Sequence, residues 1–181
     1  MPYVCFRTIL LLLGAAAVCC ASTVPRMSLE EIIDQSELIA SGQVLKSSSA
    51  WDNSHQFIWT HYEIAVHDIT KGNRTQTLVV SEPGGTADGL TQYIPGTVTF
   101  RAGEEVALFL YRTPIGYLRT VGWGQGKFTI TPEQRVYSDF GRLELAAAKA
   151  AGTPVGSLSG LSVSEFKTRV SRLAQSRKAR Q

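Results

Sequence analysis

Alternation of apolar and polar residues along one segment constrains the fold of this chain more than any other feature. In FIWTHYEIAVHDITKG, residues 57–72, several apolar side chains lie at alternate positions. This apolar face comprises Ile58, Tyr62, Ile64 and Val66, and the wetter face comprises Trp59, His61, Glu63 and His67. A period of two is typical of a β-strand with one packed face. The sequence therefore predicts a long strand that needs a sheet around it.

Other segments continue the β pattern. Further strands are predicted at Leu38–Val44, Thr77–Glu82 and Val106–Thr113. The last of these is apolar enough for the centre of a sheet. The serines near Ser47 are expected to lead into a polar turn, PGGTADG at residues 83–89 into a long flexible loop, and Pro95 with Gly96 into a turn. We therefore predict a mainly β fold.

Two capping boxes predict helices at the ends of this region. Ser28 with Glu31 starts a short helix that runs to about Gln35. Ser162 with Glu165 starts a last helix, from Val163 to about Gln175. Its apolar stripe consists of Val163, Phe166, Val170 and Leu173. The second helix is therefore predicted to be amphipathic and to pack by this stripe.

The first residues have the layout of a secretory signal peptide. Arg7 precedes an apolar run from Ile9 to Val18, and small residues up to Ala21 follow. The run is shorter than the roughly 20 residues that span a bilayer, so cleavage is expected and an uncleaved anchor is the alternative. We expect an exported protein, periplasmic or secreted, with no membrane span after cleavage. All three cysteines, Cys5, Cys19 and Cys20, lie in this leader, so the mature chain has no disulfide.

The basic residues are concentrated at the C-terminus. Six of the 18 Lys and Arg residues follow Leu161, with one acid among them. Between Ser22 and Leu161 there are 11 basic and 14 acidic residues, a net charge of −3. A weakly acidic body argues against nucleic-acid binding. The tail could instead contact an acidic partner, and the candidate residues for that contact are Lys167, Arg169 and Arg172.

The stretch VGWGQGKFTI, residues 121–130, contains three glycines followed by Lys127, a composition that suggests a phosphate-binding loop. Such a loop lies between a strand and a helix, whose first amides bind the phosphate. Lys127 is followed here by Phe-Thr-Ile-Thr-Pro, which is extended, and the spacing misses the full GxxxxGK[ST] pattern. We therefore interpret the glycines as a sharp turn, a bulge or a close approach of two strands.

The order of these segments resembles a known module. "SELIASGQV", "YEIAVHDITKG", "TLVVSEPGG" and "AGEEVALFLY" follow one another between Ser36 and Ile130. This order is similar to that of the netrin-like, tissue-inhibitor-of-metalloproteinase-like module. The resemblance implies a five-stranded OB-like barrel with flanking helices. The inhibitory mechanism of that family needs an N-terminal cysteine, which the mature chain lacks, so no inhibitory residue is carried over. The chain also resembles uncharacterised secreted bacterial proteins that share "GEEVALFLY" and "GQGKF".

The predicted organisation has four parts. They are a signal peptide at 1–21, an OB-like domain at 22–140, an Ala/Gly-rich linker or short helix at 141–161, and a basic helix and tail at 162–181. Metal binding is not predicted, because His55, His61 and His67 are six residues apart and two such strand residues lie about 20 Å apart. No cofactor is predicted. Glu82, Asp88, Glu104 and Glu105 are expected to be solvated turn acids, with paired carboxylates as the alternative.

Aromatic residues give the main candidates for a binding face. OB-like barrels bind ligands across a sheet face, where aromatic rings stack on them. The predicted ligand or partner contacts are Trp59, Trp123, Tyr117, Glu82 and Asp88, and Trp59 and Trp123 are expected to be partly exposed. We expect a non-catalytic module that binds another exported protein. A small-ligand or carbohydrate binder is the first alternative, and a hydrolase without a recognisable motif is the second.

Overall fold

Seven strands pair in one sheet in the computed structural model, which describes residues 24–138 and 152–179. They are β1 Leu38–Trp51, β2 Ile58–Lys71, β3 Thr77–Pro83, β6 Glu105–Arg112, β7 Leu118–Thr120, β8 Lys127–Ile130 and β9 Val136–Ser138. Two short strands, β4 Gly85–Ala87 and β5 Leu90–Gln92, form a separate hairpin. The prediction of a mainly β fold is confirmed. The signal peptide and most of the predicted 141–161 linker lie outside the described residues.

The long central strand β6 organises the sheet. The strand order is β1-β2-β3-β7-β6-β8-β9, and β6 also pairs with β1. All of these pairings are antiparallel except that of β3 with β7, which is parallel and joins Val80 to Leu118. The pairing thus runs from β1 through β2, β3, β7 and β6 and returns to β1. The predicted central strand at Val106–Thr113 is confirmed, shifted by one residue.

Strand β1 is longer than the sequence suggested. It continues through the serines to Trp51, and the turn begins only at Asp52. The extension is explained by strand β2, whose first half pairs with these residues. Ser47 lies opposite Tyr62, and Trp51 lies opposite Ile58. Pairing with a strongly β-forming partner therefore overrides the weak strand preference of the serine run.

The loop predicted to be flexible at residues 83–89 is a tight hairpin. Asp88 and Gly89 lie at its tip with positive φ of 51° and 76°. Positive φ at both central residues belongs to a type I′ turn, for which Asp-Gly is a preferred pair. The hairpin packs on β1 and β2 so closely that a Cβ on Gly85 would lie 2.3 Å from Oγ1 of Thr60. The loop prediction was wrong because this turn signal was given too little weight.

Two hydrophobic clusters pack on opposite faces of the sheet. One contains Tyr62, Ile64, Val80 and Phe100. The other lies beneath the helices α1 (Leu29–Gln35) and α2 (Val163–Lys178), where Phe166 packs between Phe109 and Phe128 at ring distances of 6.1 and 5.4 Å. Both capping boxes are present, and the α2 stripe faces this cluster, as predicted.

Candidate functional site

Three of the predicted aromatic residues gather around one arginine. The Arg119 guanidinium lies 5.7 Å from the ring centre of Trp59 and 5.2 Å from that of Trp123. Tyr117 packs edge-on against Trp59 with ring centres 4.9 Å apart. We call this group, Trp59, Tyr117, Arg119 and Trp123, the arginine platform. Its three aromatic residues are partly exposed, so the platform forms part of the surface.

The alternation of the strands places these side chains on one face. Trp59 and His61 alternate with the buried residues Ile58, Thr60 and Tyr62 of β2, so they project from the opposite face. Strand β3 contributes Ser81, whose hydroxyl is 2.8 Å from Nδ1 of His61. The His61 ring in turn lies 5.5 Å from that of Tyr117. Burial lowers the pKa of His61 below its ordinary value.

Glu82 lies behind the platform and fixes Arg119. Its side chain is 1% exposed. One oxygen accepts the backbone N–H of Thr120 at 2.7 Å, and the other accepts Nε and Nη2 of Arg119 at 3.3 and 3.1 Å. Burial raises the pKa of the Glu82 carboxyl, and the Arg119 guanidinium and the Thr120 amide oppose that rise. Glu82 is thus not the solvated turn acid that was expected, and it influences the surface only through Arg119.

The glycine-rich turn holds Trp123 in place. Gly122 and Trp123 both have left-handed backbones, with φ of 62° and 60°, and a one-turn 3-10 helix follows at Trp123–Gly126. A Cβ on Gly126 would lie 2.8 Å from the carbonyl oxygen of Val121 and 2.9 Å from that of Phe109. The glycines therefore allow a sharp turn and a close strand approach, as predicted.

Lys127 is not available to bind phosphate. Its Nζ lies 2.7 Å from a Glu104 oxygen and 2.8 Å from the carbonyl oxygen of Thr99. The ammonium also lies 4.7 Å from the ring centre of Phe100, and the side chain is 6% exposed. Lys127 therefore has a structural role beside the hydrophobic cluster that contains Tyr62 and Phe100. Glu104, at 14% exposure, is a second acid that the sequence wrongly suggested to be solvated.

A cleft of about 730 Å³ opens beside the platform. Arg119 and Trp123 form one wall, with Tyr111 of β6. Residues of α1 and of the segment 24–27 complete the lining, and the buried side chain of Gln125 fixes this segment by hydrogen bonds to the backbone of Pro25 and Met27, both of 2.9 Å. The cleft is thus built from well-separated parts of the chain.

The remaining predicted site residues lie elsewhere. Asp88 is at the tip of the β4–β5 hairpin. Lys167 pairs with Asp68 at 3.4 Å, and Arg169 and Arg172 line a separate groove along α2. The structure therefore brings together Trp59, Tyr117, Trp123 and Glu82, and leaves Asp88 and the basic residues of the tail apart from them.

The sequence reasoning missed Arg119. A signal was present, because Tyr117 and Arg119 alternate with Leu118 and Thr120 and so share a strand face. What the sequence did not show is that β3 pairs with both β2 and β7 and so brings side chains of those two strands together. That neighbourhood depends on the parallel pairing of two strands 38 residues apart, Val80 with Leu118.

Within residues 24–138 and 152–179, no group of three or more His, Cys, Asp or Glu side chains is arranged to hold a metal ion. No helix in this part of the chain is long and apolar enough to cross a membrane.

No family model matches the chain, and no curated protein matches it significantly.

Proposed function

We propose that this chain is an exported, non-catalytic binding module and that the arginine platform is its contact surface for another exported protein. The observation that supports this most is the convergence of Trp59, Tyr117 and Trp123 on Arg119. Trp, Tyr and Arg are the residue types that contribute most to binding energy at protein interfaces. Export rests on the signal-like leader at residues 1–21.

The rigidity of the platform favours binding. Arg119 is held by Glu82 and by both indole rings, so its side chain loses little freedom when a partner docks. Immobilising a flexible side chain at an interface costs about 0.5–1.5 kcal/mol, which a preorganised surface avoids. Aromatic side chains also supply large contact areas with few rotatable bonds.

The strand circuit supports a finer fold assignment within this proposal. We infer that β1, β2, β3, β7 and β6 make a five-stranded OB-like barrel, to which β8 and β9 are added. A closed circuit with one parallel pairing is consistent with such a barrel. The netrin-like resemblance is kept as a proposal about fold alone, since the chain from Ser22 onward has no cysteine.

Affinity capture tests the proposed function. The chain from Ser22 is immobilised and exposed to the exported-protein fraction of its own source, and retained proteins are identified by mass spectrometry. We expect one saturable partner that Trp59→Ala and Trp123→Ala each weaken at least about tenfold, as hot-spot residues do. Tyr137→Ala is the control, because Tyr137 is an exposed aromatic residue on β9, outside the platform.

Two results would contradict the proposal. One is a partner that is retained equally by the Trp59, Trp123 and Tyr137 variants, which would place the contact elsewhere. The other is that the immobilised chain retains no saturable protein partner, although circular dichroism shows that it is folded.

Small-ligand or carbohydrate binding is the second candidate, and the cleft beside Trp123 favours it. Its volume of about 730 Å³ falls in the range of roughly 300–1,000 Å³ typical of ligand sites. A glycan array with the wild type and Trp123→Ala tests this candidate. Retention of a glycan that the variant loses would support it, and retention of none would exclude carbohydrates.

A further inference from the structure

We propose that the cleft beside the arginine platform binds a carboxylate carried on an apolar or ring-shaped body, and that Nη1 of Arg119 receives that carboxylate. This inference deepens the proposed function and rests on it, since it names the chemistry that the same surface recognises.

One edge of the Arg119 guanidinium is occupied and another is not. Nε and Nη2 donate to Glu82. Nη1 has no acceptor among residues 24–138 and 152–179, and it is not one of the fully buried unpaired atoms there, so it keeps some exposure to solvent. A guanidinium has five N–H donors in a fixed plane and accepts no hydrogen bond. Its open edge therefore selects for an acceptor, and a carboxylate is the acceptor it binds most strongly.

The surroundings of Arg119 strengthen such a bond. The side chain is 14% exposed, and the ring centres of Trp59 and Trp123 lie 5.7 and 5.2 Å from its guanidinium. Charged hydrogen bonds are stronger where water and its screening are partly excluded. Because Glu82 and the two rings hold the guanidinium, a ligand finds Nη1 already oriented.

Besides Arg119, the charged residues that line the cleft are Arg26 and Glu31, whose charges offset each other. Arg26 adds a positive charge. Glu31 also lies there, but one of its oxygens accepts the backbone N–H of Ser28 at 2.7 Å and the hydroxyl at 2.9 Å. The carboxylate of Glu31 is thereby engaged at the start of α1 and is restrained from pairing with Arg119.

The space in front of Arg119 is larger than a carboxylate needs. The cleft measures about 730 Å³, and Met27, Tyr111 and Trp123 provide apolar surface around it. Binding sites of this kind combine apolar walls with a few polar groups that orient the ligand. The ligand is therefore expected to carry a body that packs on these three side chains while its carboxylate meets Nη1.

A matched pair of probes tests the inference directly. N-acetylphenylalanine carries the carboxylate, and its amide carries the same body without the charge. Binding to the chain from Ser22 is followed by NMR through the indole N–H signals of Trp59 and Trp123. We expect the acid to bind about tenfold more tightly than the amide, the preference typical of a hydrogen bond to a charged group.

Variants then assign the preference to Arg119. Arg119→Gln alone leaves Glu82 buried without its partner and risks unfolding. The double variant Glu82→Gln with Arg119→Gln removes both charges together, so that neither is left buried without a partner, and we expect it to bind acid and amide equally. Arg101→Gln removes an exposed arginine outside the cleft and is expected to retain the preference. Glucuronate and glucose form a second matched pair. Comparing the two pairs shows whether the cleft prefers a carboxylate on a sugar or one on a peptide-like body.

The possible results separate this inference from the proposed function. Equal binding of acid and amide in both pairs, or a preference that persists in the double variant, would overturn the inference. A carboxylate preference without any captured protein would support it and refute the protein-partner proposal. A captured partner that depends on Trp59 and Trp123, without any preference for the acids, would leave the proposed function standing and refute the inference.

Discussion

At the scale of single residues, the pair of Glu82 and Arg119 controls the candidate site. A fully buried carboxylate is unfavourable unless it is paired and hydrogen-bonded. Glu82 meets that requirement with the Arg119 guanidinium and the Thr120 amide. A buried ion pair of this kind adds little net stability, but removal of one partner leaves the other charge without compensation. The pair therefore orients Arg119 more than it stabilises the fold.

This asymmetry leads to a stability prediction. We expect Glu82→Ala to lower the free energy of unfolding by about 3–5 kcal/mol, because it removes the partner of a mostly buried guanidinium. The matched control is Glu63→Ala, which breaks an exposed pair with Lys46 and should cost at most about 1 kcal/mol. Urea unfolding measures both. Equal costs for the two variants would show that Glu82 does not hold Arg119.

His61 gives a second prediction, on the dependence of stability on pH. Burial lowers its folded pKa below the ordinary value of 6.5. The neutral ring therefore favours the folded state, and this contribution is fully present above the unfolded pKa and is lost as the pH falls through it towards the folded pKa. We expect the urea midpoint to decrease from about pH 7.5 to pH 5.5, and to decrease less in His61→Gln. The same decrease in both proteins would contradict the assignment.

The residues of the site were only partly predictable. Trp59, Tyr117 and Trp123 were selected because aromatic side chains on the face of an OB-like barrel can stack on a ligand. Arg119 could not, because its importance depends on a pairing between distant strands. Asp88 was selected as an acid in a loop, whereas its role is to adopt the positive φ of a hairpin turn.

At the scale of secondary-structure elements, strong patterns were predictable and local turns were less so. Strand β2 was predicted correctly from its alternation, and both helices from their capping boxes. The extension of β1 to Trp51 and the β4–β5 hairpin were missed, because each depends on packing against β2 or β1 in addition to local preference. The hydrophobic period of a segment therefore predicts the presence of a strand or helix better than it predicts the residue at which that strand or helix ends.

The glycine-rich turn gives a prediction at this scale. We expect Gly126→Ala to lower the free energy of unfolding by more than about 1 kcal/mol, because the new Cβ would meet the carbonyl oxygens of Val121 and Phe109. Gly156→Ala is the control, since a Cβ there meets nothing within 4 Å. Thermal unfolding compares the two variants. If both were equally stable, the close approach at Gly126 would not be a constraint on this turn.

At the scale of the whole molecule, β6 joins the two hydrophobic clusters. Val106, Leu108 and Leu110 belong to the cluster around Tyr62, whereas Ala107 and Phe109 belong to the cluster beneath the helices. Alternate residues of one strand thus pack on opposite sides. A strand shared in this way couples the stability of the two sides.

This coupling predicts a single unfolding transition. We expect Phe166→Ala to lower the free energy of unfolding by about 3–5 kcal/mol, because it empties the space between Phe109 and Phe128. Tryptophan fluorescence, which includes Trp59 and Trp123, and far-ultraviolet circular dichroism should then show the same shifted midpoint. Separate midpoints for the two signals would mean that the helix side unfolds independently of the platform.

The short segment from Pro25 to Met27 has a practical consequence for producing the protein. Gln125 fixes this segment as a wall of the cleft. A recombinant form trimmed to begin at Ser28, or one with a bulky fusion joined directly before Pro25, would alter that wall while leaving every strand of the sheet in place. Screens for ligands should therefore use protein that begins at Ser22 and carries its purification tag at the other end. Otherwise a negative result would reflect the design of the reagent.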